Sequence, residues 1–237
     1  MNKLIIIKMI SVIFIIIIFI IICNSKCETF ITQNLDNNKY YNEKGQLINH
    51  KIEERTEQEQ AFKYIYPDDV VLELGGRYGT VSSIINYKLN NKSNHVVVEP
   101  DENIIPALIK NRNLNNSGYH ILPKIISNKN KKKINSGYGT YYINSEENIE
   151  NNIISYQDFK KQFPLNFNVL VADCEGCLCE FIDNMGNDFY KLNKIIFEAD
   201  YPNLCDYNKL IKHLLNNGFK MIEKNFNVVN RYVFIKK

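Results

Sequence analysis

The chain has 237 residues, of which 45% are hydrophobic and 23% are charged. This length allows one sizeable core and argues against two. The formal charge of +3, from 29 basic and 26 acidic side chains, is too close to neutral to indicate a nucleic-acid partner. We therefore expect none.

The N-terminal segment, residues 1–25, differs from the rest of the chain. Two lysines precede an uncharged, isoleucine-rich run over residues 9–23. Such a run suits either an uncleaved membrane anchor or a signal peptide that is removed near Cys23 and Ser25. Lysines ahead of the run favour a cytosolic N-terminus and a translocated remainder. We expect a single-pass membrane protein with an extracytoplasmic domain; secretion after cleavage and a cytosol-facing domain are the alternatives.

The remaining chain divides into a polar segment and a folded domain. Residues 26–52 are rich in asparagine and lack periodicity, which is typical of a linker or stalk, whereas residues 53–237 carry helical and strand patterns. Continuous apolar strands that alternate with helices predict a doubly wound α/β domain with a mostly parallel sheet. The predicted strands cover residues 70–74, 95–100, 119–127, 168–173 and 194–200, and residues 219–237 predict an antiparallel hairpin.

One insertion, over residues 128–164, interrupts this alternation. Its basic run, NKNKKK, predicts a solvated loop. The aromatic stretch GYGTYY predicts a strand with tyrosines on both faces, and an aromatic surface for a sugar ring is the alternative.

Glycines and one acid mark the expected ligand-binding edge of the sheet. Ligands of such sheets bind beyond the carboxyl ends of the strands, where the strand order reverses. Gly75, Gly76 and Gly79 follow the first strand and allow a tight turn and close approach to a ligand. Glu99 ends the second strand, where a carboxylate can accept both hydroxyls of a ribose. These residues predict a cofactor that contains a nucleoside.

Glu73, within the end of the first strand, indicates which cofactor binds. A negative neighbour is unfavourable for a pyrophosphate, which argues against a dinucleotide. S-adenosylmethionine carries a sulfonium and an ammonium group and no phosphate, so a carboxylate favours it. We predict that Glu73 belongs to an S-adenosylmethionine site together with the three glycines and Glu99.

Four segments resemble a known family. VVLELGGRYGTVSS, VVVEPDENIIPALIKNRNLNN, NVLVADCEGCLCEFI and NKIIFEAD occur in the order and at the spacings of the FkbM-type S-adenosylmethionine-dependent methyltransferases, over about residues 66–225. The resemblance implies a Rossmann-like class I methyltransferase fold with seven strands. It also implies O-methylation of a small molecule, often a sugar or another glycan component.

The family's most specific signature, Asp-x-Glu-Gly after the fourth strand, is present as Asp173, Glu175 and Gly176. This match makes Asp173 and Glu175 the candidate catalytic residues. We expect Asp173 near the methyl group and the acceptor, and Glu175 to hold an acceptor hydroxyl or its own loop. Glu198 and Asp200, at the end of the next strand, could share that role.

Three cysteines, Cys174, Cys177 and Cys179, stand beside these acids. Their Cys-x-x-Cys-x-Cys spacing is uncommon for zinc, and no second cluster completes four ligands. Five cysteines follow Cys23, and an odd number with three clustered does not resemble a disulfide framework. We predict that these side chains are small packing residues and that no metal binds.

Two further features keep other functions open. Arg77 adds a cation beside a cationic cofactor, which is compatible with a non-catalytic, membrane-tethered binding module on a degenerate methyltransferase fold. Base methylation fits less well, because residues 200–203 read DYPN rather than Asp-Pro-Pro-aromatic. Neither the acceptor nor the oligomeric state can be predicted.

Overall fold

The computed structural model describes residues 37–50, 54–136, 139–147, 150–226 and 229–236. The chain from Lys39 to Lys237 forms one compact unit. The predicted anchor or signal segment and Cys27 lie outside the described residues. Within the described ranges, no helix has the length and apolar character needed to cross a membrane.

The described strands, in chain order, are β1 (Val71–Leu74), β2 (His95–Val98), β3 (His120–Leu122), β4 (Ile125–Ile126), β5 (Lys131–Ser136), β6 (Gly139–Asn144), β7 (Ile153–Ile154), β8 (Val169–Ala172), β9 (Lys194–Ala199), β10 (Phe219–Phe226) and β11 (Asn230–Lys236). The described α-helices are α1 (Arg55–Tyr64), α2 (Thr80–Lys88), α3 (Ile105–Leu114), α4 (Tyr156–Gln162), α5 (Leu178–Met185) and α6 (Tyr207–Asn216). Short 3₁₀ turns cover Lys92–Asn94 and Gly186–Lys191.

Seven strands form the central sheet, in the order β10-β11-β9-β8-β1-β2-β3. The pairs from β9 through β3 are parallel, and β11 is antiparallel to both β9 and β10. The predicted doubly wound fold and its C-terminal hairpin are confirmed. The chain first adds β2 and β3 on one side of β1 and then returns to β8 on the other side. The strand order therefore reverses between β1 and β8, where such sheets bind ligands.

Alternating residues of the buried strands face two separate layers. Leu72 packs on one face with Phe181 of α5 and Leu214 of α6. Val97 packs on the other face with Leu108 of α3. Helices thus cover both faces, as the continuous apolar strands indicated.

The predicted third strand is divided in two by Pro123. β3 pairs with β2 in the central sheet, whereas β4 leaves that sheet and pairs with β7. Proline has no backbone N–H to donate to a ladder, so the chain turns away at this residue.

The insertion folds into the hairpin β5–β6, whose two strands pair only with each other among the described strands. The prediction of a solvated loop for NKNKKK is therefore wrong for the last three residues of the run, 131–133, which belong to β5. Lys131 retains only 7% exposure and donates from Nζ to Glu180 Oε2 at 2.8 Å.

Residues 39–50 pack onto the domain, although the sequence indicated a linker there. Tyr40 is 1% exposed. The Tyr41 N–H donates to Asn111 Oδ1 at 2.9 Å, and Asn111 Nδ2 donates to the carbonyls of Tyr41 and Tyr78 at 2.9 and 3.0 Å. This segment therefore satisfies a buried side chain of α3.

Candidate functional site

A cavity of about 230 Å³ opens at the carboxyl ends of β1, β2, β8 and β9. The residues that follow β1, β2 and β8 are Gly75, Glu99 and Asp173, and they lie side by side because β1 is in register with both neighbours. The hairpin β5–β6 adds a further wall through Thr140 and Tyr142. The predicted site residues that line the cavity are Glu73, Gly75, Gly76, Glu99, Asp173 and Glu175.

Close packing of strand ends requires the first two glycines. Gly75 has a φ of +89°, and a Cβ atom there would lie 1.7 Å from the carbonyl oxygen of Asp173. A Cβ atom at Gly76 would lie 2.2 Å from Val97 Cγ1. A side chain at either position would displace the neighbouring chain, so these glycines let the three strand ends meet. Gly79 is instead the N-cap residue of α2, away from the cavity lining.

Glu99 uses one carboxylate oxygen to hold the glycine turn and the other to hold the chain that follows β2. The backbone N–H of Arg77 donates to Oε2 at 2.7 Å, and that of Asp101 donates to Oε1 at 2.9 Å. Burial raises the pKa of Glu99, and these two hydrogen bonds oppose the rise. Each carboxylate oxygen accepts more than one hydrogen bond, so Glu99 can still accept from ligand hydroxyls.

The side chain of Glu73 pairs with a histidine on the neighbouring strand. Its Oε2 lies 2.9 Å from Nε2 of His95, and both side chains are almost fully buried. The predicted contact of Glu73 with a cofactor stays a prediction, and the structure adds this pairing.

Asp173 lies among acids and one arginine. Oxygen atoms of Asp173, Glu57 and Glu198 lie within 4.8 Å of one another. Arg231 Nη2 is 2.6 Å from Glu198 Oε2, and its Nε contacts Glu57. Asp173 is exposed to the open cavity, but protein atoms surround it on its other sides. This desolvation, followed by the charge of Asp200, raises the pKa of Asp173 to about 7, and Arg231 and Arg77 oppose the rise. Burial and the charge of Asp173 raise the pKa of Glu198, and the charge of Arg231 opposes this rise.

This group of three acids also has the geometry of a cation site. Arg231, however, already contacts two of the three carboxylates and supplies a positive charge there. We therefore interpret the group as an ion-pair network, and the absence of a metal stays a prediction.

Glu175 and Asp200 form a second acidic pair at the cavity rim. Burial raises the pKa of Glu175, and burial with the charge of Glu175 raises that of Asp200 to about 7. Each carboxylate makes ionisation of the other less favourable, which accounts for the direction of both shifts. Asp200 also accepts from the Gly176 N–H at 3.1 Å and from the Tyr207 hydroxyl at 3.2 Å. Asp200 thus holds the loop that contains Glu175, and the two predicted roles of Glu175 stay predictions.

Two ion pairs attach the hairpin β5–β6 to the cavity. Lys133 Nζ donates to Asp101 Oδ1 at 2.9 Å, and Thr140 Oγ1 donates to Asp101 Oδ2 at 3.0 Å. The pair between Lys131 and Glu180 forms the second attachment. Glu180 belongs to α5, so the hairpin is fixed to the chain beyond both β2 and β8.

The prediction that the clustered cysteines are unpaired packing residues is wrong. Cys174 is bonded to Cys177, and Cys179 is bonded to Cys205, with Cα–Cα distances of 5.4 and 5.3 Å. These distances are normal for disulfides. The cysteine count argued wrongly against disulfides, because Cys27, which lies outside the described residues, makes the number of cysteines after Cys23 odd. Spacing also could not show that the chain before α6 returns to α5.

Solved structures resemble this fold at low sequence identity. A candidate RNA methyltransferase of Pyrococcus horikoshii aligns with a TM-score of 0.50 and 13% identity, over 88% of this chain and 95% of that one. The fold is that of a class I methyltransferase. At this identity the likeness establishes the fold alone. Neither a protein-family model nor a curated protein sequence matches the chain.

Two further structures align more loosely. The ribosomal protein L11 methylase of Lactobacillus delbrueckii subsp. bulgaricus has 12% identity and a TM-score of 0.47, over 77% of this chain and 78% of that one. A candidate tRNA (m1A22) methyltransferase of Streptococcus pneumoniae, in complex with S-adenosyl-L-methionine, has 10% identity and a TM-score of 0.48, over 76% of this chain and 72% of that one.

Sequence reasoning missed two residues at the base of the cavity, Glu57 and Arg231. Glu57 lies on the charged helix α1 and Arg231 on the C-terminal strand β11, far from every motif. The only available signal was that Arg231 directly precedes the aromatic and apolar residues 232–235 of β11.

Proposed function

We propose that this chain is an S-adenosylmethionine-dependent methyltransferase of the FkbM type, which methylates a hydroxyl group of a sugar, a glycan component or another small molecule. One observation carries the proposal. Gly75, Glu99 and Asp173 stand side by side at the reversal of strand order, around a cavity. The Asp-x-Glu-Gly resemblance supports the finer assignment to the FkbM type.

The donor groups of the cavity fit S-adenosylmethionine. Glu99 has lone pairs that remain available to a ribose diol, while its bonds to Arg77 and Asp101 keep the turn closed. Asp173, Glu175 and Glu198 provide carboxyl oxygens that can accept from an ammonium group, and the fraction of them that is ionised disfavours a pyrophosphate.

The bound cofactor would supply an activated methyl group to an acceptor oxygen. Asp173 is the proposed base that removes the proton of the acceptor hydroxyl. A pKa raised to about 7 suits this task, because a general base works best when its pKa is near the operating pH. Glu175 would orient the acceptor at the cavity, with Asp200 behind it holding the loop, and the hairpin wall with Tyr142 would exclude water.

The charge of the cavity supports a neutral or cationic acceptor. Glu54, Glu57, Asp173, Glu175 and Glu198 line it, against Arg77, Lys131 and Arg231. Phosphate groups would be repelled by this acidic majority, and nucleic-acid binding depends on neutralising phosphates. The Pyrococcus horikoshii protein is described as a candidate RNA methyltransferase, so RNA is the second acceptor class to be tested.

We further propose that the domain works outside the cytosol and is held at a membrane by residues 1–25. The two disulfides support this location, because such bonds persist in oxidising compartments. A signal peptide that is removed would leave the same domain secreted.

Calorimetry of the purified full chain in detergent tests the proposal. We expect micromolar binding of S-adenosylmethionine, lost in Glu99→Ala and retained in Glu102→Ala, which removes an exposed acid three residues later. Absence of binding by a folded chain would refute the enzyme and leave the tethered binding module. Methyl transfer from labelled cofactor to sugars or to RNA then separates the acceptor classes, and Asp173→Asn is the catalytic control.

A further inference from the structure

The two disulfides differ in their access to solvent. Cys174 and Cys177 close a four-residue loop at the cavity rim, and Cys177 is exposed. Cys179 and Cys205 join α5 to the chain before α6, and Cys205 is 1% exposed. Thiol–disulfide exchange requires a thiolate to reach a sulfur atom, so access governs which bond reacts.

We propose that Cys174–Cys177 is a thiol–disulfide exchange site for dithiol reductants, and that its reduction loosens the loop that carries Asp173 and Glu175. Cys179–Cys205 is a structural bond that the same reductants spare. The exchange site goes beyond methyl transfer and does not depend on it.

Reduction of this disulfide by a dithiol proceeds in two steps. A thiolate of the dithiol attacks the exposed sulfur of Cys177, the bond between the two protein sulfurs breaks, and Cys174 leaves as a thiolate that takes up a proton. The second thiol of the reductant then attacks the mixed disulfide, and Cys177 is released as a thiol. The protein disulfide gains two electrons, and the dithiol is oxidised to its own disulfide.

Access to solvent directs the attack. Cys177 is exposed, whereas Cys174 is only partly exposed, so the thiolate of the reductant reaches Cys177 first. The acids on either side of Cys174 disfavour its thiolate as a leaving group, so access rather than leaving-group stability decides which sulfur is attacked. Cys177 is the N-cap residue of the eight-residue helix α5, whose first backbone N–H groups favour its thiolate when the mixed disulfide is resolved.

The closed bond holds an unusual backbone conformation. Glu175, between the two cysteines, has a φ of +54°, and Gly176 has a φ of +85°. The left-handed region is unfavourable for a residue with a side chain. The loop is otherwise held by hydrogen bonds from the Cys177 N–H to the Cys174 carbonyl at 3.2 Å and from the Gly176 N–H to Asp200 at 3.1 Å. Opening the disulfide removes the covalent constraint from this segment, and Glu175 can then return to an ordinary conformation.

Timed alkylation of the full chain tests the site. The protein is treated with dithiothreitol, quenched with one alkylating reagent, and then fully reduced and labelled with a heavy form of the same reagent. No lysine or arginine lies between Cys174 and Cys179, so trypsin cannot separate them. Cleavage after Glu175 and Glu180 places Cys174 and Cys205, one member of each bond, in different peptides.

We expect Cys174 to be labelled at least about tenfold faster than Cys205, because access limits exchange. Equal rates, or faster labelling of Cys205, would refute the exchange site. The paired variant Cys174→Ser/Cys177→Ser should keep its remaining bond at reductant concentrations that open the loop bond of the native chain.

Hydrogen exchange of the same samples tests the effect on the loop. Amides of residues 173–177 should exchange faster after selective reduction, while those of α6 keep their rate. Unchanged exchange in the loop would refute the coupling to Asp173 and Glu175. Neither measurement requires S-adenosylmethionine, so failure of the proposed methyltransferase activity would appear separately, in calorimetry.

Discussion

Arg231 and Glu198 face each other across neighbouring antiparallel strands, and Arg231 Nη2 lies 2.6 Å from Glu198 Oε2. The same guanidinium contacts Glu57 of α1 through Nε. Arg231 thereby joins the C-terminal hairpin, strand β9 and helix α1, through two carboxylates that lie within 4.8 Å of the Asp173 carboxylate. Three elements that are distant in the chain meet at one cation.

Replacing Arg231 with methionine should destabilise the domain. The side chain is only 13% exposed, and its loss leaves Glu57 and Glu198 close together without their cation. Breaking a buried ion pair from one side costs about 3 kcal/mol or more. Urea unfolding should show this loss, and Arg231→Lys, which keeps the charge without the planar fork, should lose less. Equal midpoints for the native chain and the methionine variant would contradict the role we give to Arg231.

Ionisation of Asp173 should lower the free energy of unfolding as the pH rises. Its pKa is about 7 in the folded chain against 3.8 for an unperturbed aspartate, so the folded chain binds more protons between these values. Stability contributed by the protonated form is therefore lost progressively from about pH 4 to about pH 7. Asp173→Asn cannot ionise and should gain about 1 kcal/mol over the native chain at pH 8, since access of solvent to the cavity screens the charge.

At pH 4 the same substitution should leave stability nearly unchanged. Urea unfolding at pH 4 and pH 8 measures the difference, and Asp183→Asn, at an exposed position of α5, is the matched control. A gain for Asp173→Asn that is equal at both pH values would exclude a raised pKa as its cause.

Alanine at Gly75 should be severely destabilising. The added Cβ would lie 1.7 Å from the carbonyl of Asp173, at a φ of +89°, and the clash involves backbone rather than a flexible side chain. We expect a loss of about 3 kcal/mol or more, from overpacking and backbone strain together. Gly45→Ala is the control, because Gly45 has a φ of +74° with nothing within 4 Å of the new Cβ.

Only the backbone term, about 1–2 kcal/mol, should appear at Gly45. Thermal unfolding of both variants separates the two contributions. A similar loss at the two positions would mean that the contact between β1 and β8 is not close enough to exclude a methyl group.

Lys133→Ala should loosen the hairpin β5–β6 without unfolding the domain. The substitution removes the 2.9 Å ion pair with Asp101. Partly exposed pairs contribute about 1 kcal/mol, which corresponds to roughly fivefold more frequent opening. Hydrogen exchange of the β5 and β6 amides measures this change, and Lys132→Ala, which removes an exposed neighbour on the same strand, is the control. Equal protection in the two variants would show that Asp101 does not hold the hairpin.

A chain that begins at residue 54 should be less stable than one that begins at residue 37. The shorter chain lacks Tyr41, so the fully buried Asn111 loses one donor and one acceptor. A buried polar group without partners costs about 1–3 kcal/mol. Urea unfolding of the two chains measures the difference, which Asn111→Ala should reduce. Identical stability would mean that the segment is dispensable.

The sheet and the cofactor edge were predictable because both depend on local patterns. Apolar runs determine which segments become buried strands, and in-register pairing then brings Gly75, Glu99 and Asp173 together with little dependence on other residues. Glu73 shows the limit of this reasoning. Its position at a strand end indicated a ligand, but whether it pairs with His95 depends on a register that one sequence does not reveal.

Features that depend on long-range folding could not be predicted. Arg231 reaches Glu57 and Glu198 only because β11 inserts beside β9, and Cys205 meets Cys179 only because the chain before α6 returns to α5. The two acidic partners of the hairpin lysines, Asp101 and Glu180, likewise lie outside the segment that contains the lysines. In each case the partner lies in another element of the fold.

The two walls of the cavity differ in how well they tolerate sequence changes, and the hairpin β5–β6 forms the more tolerant one. Its strands pair with each other alone among the described strands, and ion pairs rather than shared ladders attach it to the domain. Substitutions or length changes within it leave the register of the seven-stranded sheet untouched, whereas any shift at Gly75 disturbs three strands at once. Evolution, or a protein engineer, can therefore exchange the hairpin wall of the cavity as a module while the wall formed by the strand ends stays constant.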